Sequence, residues 1–92
     1  MSNKVQIAGS PIQISATAQL LKVPGVLLTV VVGTTTGGTL QFYDSNNAQT
    51  TNPITPVLTL TAGASVLLCF EFTQGLYVVV GGTITAAAGV AT

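Results

Sequence analysis

The sequence contains no histidine and no tryptophan, and its only cysteine is Cys69. Four residues carry charge: Lys4, Lys22, Asp44 and Glu71, for a net charge of zero. Each scarcity removes a class of chemistry. Without histidine there is no ordinary general base near neutral pH and no imidazole ligand for a metal. One cysteine forms neither an internal disulfide nor a thiolate cluster. Two lysines cannot neutralise a row of phosphates, so a nucleic-acid partner is not expected. No cofactor is expected, and no catalytic residue or metal ligand can be nominated.

What is present is apolar and β-branched. Hydrophobic residues make up 48% of the 92 residues, which is far from the polar, charged signature of a disordered chain. The length fits a single domain, residues 1–92. Residues 1–10 lack the apolar core of a signal peptide. The run Leu27–Val32 ends at Gly33 and is much shorter than the roughly 20 residues of a membrane helix. No membrane partner is expected.

Alternation of period two recurs along the chain. Val5 and Ile7 suggest a short first strand; the alternative for residues 1–8 is an N-terminal contact arm that adds to a partner's sheet edge. Ile12, Ile14 and Ala16 suggest the next strand. Val26–Val32 is apolar on both faces and reads as a central strand. Gly33–Gly38 reads as a turn leading into Thr39–Tyr43, which makes a hairpin. Asp44–Thr55 is a polar loop. Strands follow at Val57–Thr61, Val66–Phe72, Leu76–Val80 and, after a tight turn at Gly81–Gly82, Thr83–Ala88. About eight short strands at this spacing predict an all-β fold: a compact antiparallel β-sandwich or a small jelly-roll-like barrel. Its expected core holds Leu28, Val30, Leu40, Phe42, Leu58, Leu60, Leu68, Phe70, Leu76, Val78 and Ile84.

A two-sheet domain has one inner layer, and a second apolar set remains. Leu27, Val31, Val57, Leu67, Cys69, Tyr77 and Val79 fall on the opposite faces of their strands. An outward set of this kind on a nearly uncharged surface predicts association. Leu27, Val31, Val57, Leu67, Tyr77 and Val79 are therefore the candidate interface, and the first expected partner is a second copy of the chain. Asp44 is expected to begin the loop turn, Glu71 to reach solvent or a lysine across an interface, and Cys69 to be a buried, inert thiol. Tyr43, Asn46, Asn47 and Gln49 are the candidate loop contact for a glycan or receptor.

A longer pattern runs from Gly25 to the C-terminus. It comprises the apolar strand Val26–Val32, Gly37-Gly38-Thr39-Leu40, Phe42-Tyr43-Asp44, Leu58-Thr59-Leu60-Thr61-Ala62-Gly63, Gly75-Leu76-Tyr77-Val78-Val79-Val80 and Gly82-Thr83. In this order the features resemble small virion proteins of tailed bacteriophages, in particular the decoration or cement proteins of the head. The resemblance implies a non-enzymatic structural protein, clustered on the capsid surface as a trimer or another small oligomer. The major capsid protein or another virion protein would be its partner. Its location would be the virion, with the host cytoplasm during assembly. Phage fibre or tail modules share the same kind of pattern, and a fibre, glycan- or receptor-binding β module is the alternative function.

Overall fold

The computed structural model describes residues 10–92. The first expected strand and the arm, residues 1–8, lie outside the described residues. Six strands follow in chain order: β1 (Ser10–Ile14), β2 (Ala18–Leu21), β3 (Gly25–Asp44), β4 (Leu58–Thr59), β5 (Ser65–Phe72) and β6 (Leu76–Ala91). Every pairing between them is antiparallel. The all-β expectation holds for the described residues.

The centre of the fold is one long ladder. β3 pairs with β6 from Val26↔Ala91 to Asp44↔Leu76. Its first half carries β1 and β5 on its flanks, in the order β1-β6-β3-β5. Its second half carries β2 beside β6 and β4 beside β3. Twenty residues of straight strand would reach about 66 Å. The longest dimension of the molecule is 42 Å and the shortest 17 Å, so the ladder must bend. Bending lays the inner faces of the two halves against each other. Leu27, Val30, Val32, Phe72, Ala88 and Val90 from the first half share one core with Leu40, Phe42, Leu76 and Val78 from the second. Fully burying each large side chain of this set is worth about 1.5–3 kcal/mol.

The bend corrects one sequence expectation. Gly33–Gly38 does not close a hairpin, and Gly81–Gly82 is not a tight turn. Both segments continue as strand and face each other across the ladder, with Gly37 opposite Thr83 and Thr39 opposite Gly81. Gly37 and Gly82 adopt φ of 63° and 66°. A Cβ on Gly82 would stand 2.4 Å from the Gly37 carbonyl oxygen. The glycines thus allow two paired backbones to turn one corner together, which a local reading takes for two turns. Four of the expected strands are consequently halves of β3 and β6.

A register shift corrects another. The register shifts between Leu27 and Thr29 against both neighbouring strands. The shift breaks strict alternation, so Leu27 points inward with no exposed area, as do Val30 and Val32. Leu27, expected on the outer face, belongs to the core. Across the same shift, β5 accommodates Leu68 and Cys69, the latter at φ 58°. Phe70 is paired with Leu27 and shares its face, but it is 43% exposed because β5 is an edge strand. The expected strand Val57–Thr61 shrinks to the two residues of β4.

Candidate functional site

The outer face of the first half is the most distinctive surface among the described residues. Thr29 and Val31 of β3 stand beside Gly89 and Ala87 of β6 and beside Leu67 and Ser65 of β5. A Cβ on Gly89 would come within 2.9 Å of the Thr29 methyl, so small residues in β6 are what allow the β3 side chains to lie across them. The Thr29 hydroxyl donates to the Val66 carbonyl at 2.8 Å and pins the bulged edge. Leu67 is 79% exposed and Val31 46% exposed. Gly33 leaves a shallow depression of about 190 Å³ between Gln13, Val31 and Thr85. Among the described residues the only charged side chain in this register is Glu71, opposite Val26. A flat, nearly uncharged face of this kind offers a partner apolar area and shape, and offers no charge pattern.

The other members of the candidate interface scatter. Val57 is exposed in the segment before β4, away from that face in sequence and pairing. Tyr77 and Val79 lie in the second half, opposite Tyr43 and Gln41, and are half-buried. The structure therefore brings together Val31 and Leu67, groups Tyr77 and Val79 elsewhere, and buries Leu27. Cys69, expected to be buried, is exposed at the β5 bulge.

Tyr43 joins the second-half group and not the loop. Its ring centroid lies 6.3 Å from that of Tyr77, tilted by 46°. Its hydroxyl donates to Gln41 Oε1 at 2.8 Å, and Gln41 Nε2 donates to the Thr55 carbonyl at 3.0 Å. The loop residues are engaged among themselves. The Ser45 hydroxyl oxygen accepts from the Asn47 and Gln49 amides at 3.2 and 2.9 Å and donates to Asn47 Oδ1 at 3.0 Å. Such a turn uses side-chain oxygen to satisfy backbone donors. Asn46, Asn47 and Gln49 are exposed, but the Asn47 and Gln49 bonds run to Ser45 and none joins them to Tyr43.

Two polar residues fasten this end of the molecule. Gln19 Nε2 donates to the Leu21 and Ser45 carbonyls at 2.7 and 2.6 Å, and Gln19 Oε1 accepts from the Ala48 amide at 2.8 Å. In the sequence, Gln19 is marked only as a polar residue beside Leu20 and Leu21. Asp44 Oδ2 accepts from the Thr73 amide and hydroxyl at 3.0 and 3.1 Å, and Oδ1 accepts from the Gln74 amide at 2.8 Å. Partial burial pushes this carboxyl upward, but the donors of Thr73, Gln74 and Gly75 together outweigh it and hold Asp44 below the ordinary carboxylate value. Asp44 ends β3 where the polar loop begins, its amide donates across that loop to the Asn52 carbonyl at 2.8 Å, and its carboxylate also caps the turn between β5 and β6.

Among the described residues no cluster of three or more histidine, cysteine, aspartate or glutamate side chains is placed to hold a metal. No helix among them is long and apolar enough to cross a membrane. Compared with family models, curated proteins and solved structures, the chain matches none.

Proposed function

We propose that this chain is a structural virion protein that decorates or cements a bacteriophage capsid. It acts as a small symmetric oligomer, a trimer, bound to the major capsid protein or another virion protein through apolar and main-chain contacts. The single observation that carries the reading is the outer face of β1-β6-β3-β5, where Leu67 is 79% exposed and Val31 46% exposed among small, uncharged neighbours. Apolar area left open on a small chain is best accounted for by a partner that covers it.

The pairing order supports the jelly-roll form of the sandwich. With each long strand counted as two, the first half runs first–eighth–third–sixth and the second half second–seventh–fourth–fifth. That interleaving is the one expected of two Greek keys, and double-sheet jelly rolls build capsid subunits as well as lectins. The alternative is a fibre, glycan- or receptor-binding module, and the tilted Tyr43–Tyr77 pair favours it as an aromatic surface. Against it, the polar atoms of Gln41, Ser45 and Asn47 already bond within the chain. Incubation with intact phage heads lacking the protein separates the two. Stoichiometric co-sedimentation supports decoration, whereas binding to a glycan array without head binding supports the alternative.

A further inference from the structure

Four strands end the two half-sheets, and they differ in how well they are guarded. β1 has five residues and includes Pro11, β2 has four and β4 has two. β5 has eight, with no proline and no lysine, and among the described residues it pairs with β3 alone. Short edges and prolines discourage strand addition, so β5 is the most open edge, over Phe70–Phe72 on the C-terminal side of its bulge at Leu68 and Cys69. Both of its faces carry exposed apolar groups, with Leu67 on the outer side and Phe70, at 43% exposure, on the inner side. Glu71 is exposed between Phe70 and Phe72. A cleft of about 440 Å³ adjoins this end, lined by Pro24, Val26, Glu71, Phe72 and Ala91.

We propose that the N-terminal segment of a second copy of this chain adds to β5 as a short antiparallel strand that ends at Gln6. The inference rests on the self-assembly reading above and deepens it by naming the segment that joins the copies. Charge complementarity sets the register. Of the two lysines, Lys4 lies in this segment, and placing it opposite Glu71 puts Val5 opposite Phe70. Directly opposed residues in an antiparallel pair share a face, so the cation meets the carboxylate on one side while valine covers exposed phenylalanine on the other. Gln6 then stands opposite Cys69, where the bulge stops further pairing. A parallel strand with the same ion pair would set Val5 against Phe72, which is 1% exposed and has nothing left to cover.

Geometry excludes the chain's own segment in this register. Ser10, Val90, Leu27 and Phe70 form one transverse row across the sheet. A strand added outside β5 places its Val5 four strand spacings from Ser10, about 19 Å. The five residues from Val5 to Ser10 span at most about 18 Å fully extended, before any detour around the sheet. The chain's own segment has no slack for this register, so the occupant is taken from another copy.

Cys69 supplies the test. Gln6→Cys with Cys69→Ser leaves one thiol on the arm, and the parent chain has one thiol on β5. When the two are mixed at tens of micromolar and oxidised mildly, the 6–69 disulfide should form at least tenfold faster than from Ser2→Cys with Cys69→Ser. Adding Lys4→Glu to the arm chain should slow it roughly two- to fivefold, and Glu71→Lys in the partner should restore the rate. Equal rates from positions 2 and 6 would overturn the proposal, as would a monomer-mass disulfide as the main product of Gln6→Cys alone. A parent chain that is monomeric at these concentrations would sink the self-assembly reading as well, whereas an oligomer without the 6–69 link would sink only the arm.

Discussion

Replacing Leu67 with aspartate separates the folded chain from its assembly. In the isolated chain Leu67 is 79% exposed, and its strand is held by pairing with Thr29 and by the Thr29 hydroxyl bond to Val66. A substitution at such a position changes folding stability by within about 0.5 kcal/mol. At a covered interface the same change removes about 1.5–3 kcal/mol of apolar burial. It also places a carboxylate in a desolvated contact, at an effective cost of several kcal/mol. The apolar term alone weakens each contact by more than tenfold, since 1.4 kcal/mol is a factor of ten. Light scattering at tens of micromolar should report an oligomer for the parent chain and a monomer for Leu67→Asp. Far-ultraviolet circular dichroism and the thermal midpoint of the separated monomer should stay those of a folded β protein. Asn46→Asp, an equal charge on the exposed loop, should leave the mass unchanged. A Leu67→Asp chain of unchanged mass would place Leu67 outside the contact, and an unfolded one would refute the exposure argument.

Other substitutions probe the fold that presents this face. Leu27→Ala should cost about 2–5 kcal/mol by leaving a cavity, because Leu27 has no exposed area; Leu67→Ala in the monomer should cost under about 0.5 kcal/mol, and chemical denaturation compares the two. Gly82→Ala should destabilise by more than about 1 kcal/mol, since its φ is 66° and a Cβ would meet the Gly37 oxygen at 2.4 Å; an unchanged denaturation midpoint would remove the shared-corner account. Asp44→Asn should cost about 2 kcal/mol through weakened bonds to the β5–β6 turn. Because the folded-state value of Asp44 lies below its ordinary 3.8, its contribution is complete above about pH 4 and is lost as pH falls through the folded value. The parent should therefore lose stability on acidification below pH 4 more steeply than Asp44→Asn does.

The sequence makes legible whatever depends on alternation within one strand. Val30 with Val32, Leu40 with Phe42 and Leu76 with Val78 occupy the core as period two demands. Val31 and Leu67 are outward for the same reason. What it hides depends on the neighbour across the ladder. Gly37 and Gly82 look like separate turn signals until their backbones are seen to meet at one corner. Leu27 alternates outward on paper, and only a register shift shared with β5 and β6 turns it in. The grouping of Tyr43 with Tyr77 instead of with Asn46 has the same origin, because a pairing partner more than thirty residues away chose it.

The most direct test of the central claim is association with phage heads across salt. Exposed ion pairs weaken as the screening length falls to about 3 Å at 1 M. Apolar burial and main-chain pairing do not share that loss. Head-bound chain, measured by co-sedimentation at 0.05 and 1 M sodium chloride, should change in affinity by less than about tenfold. A hundredfold loss at high salt, or no association at either concentration, would contradict a structural protein held to its capsid by an uncharged sheet face.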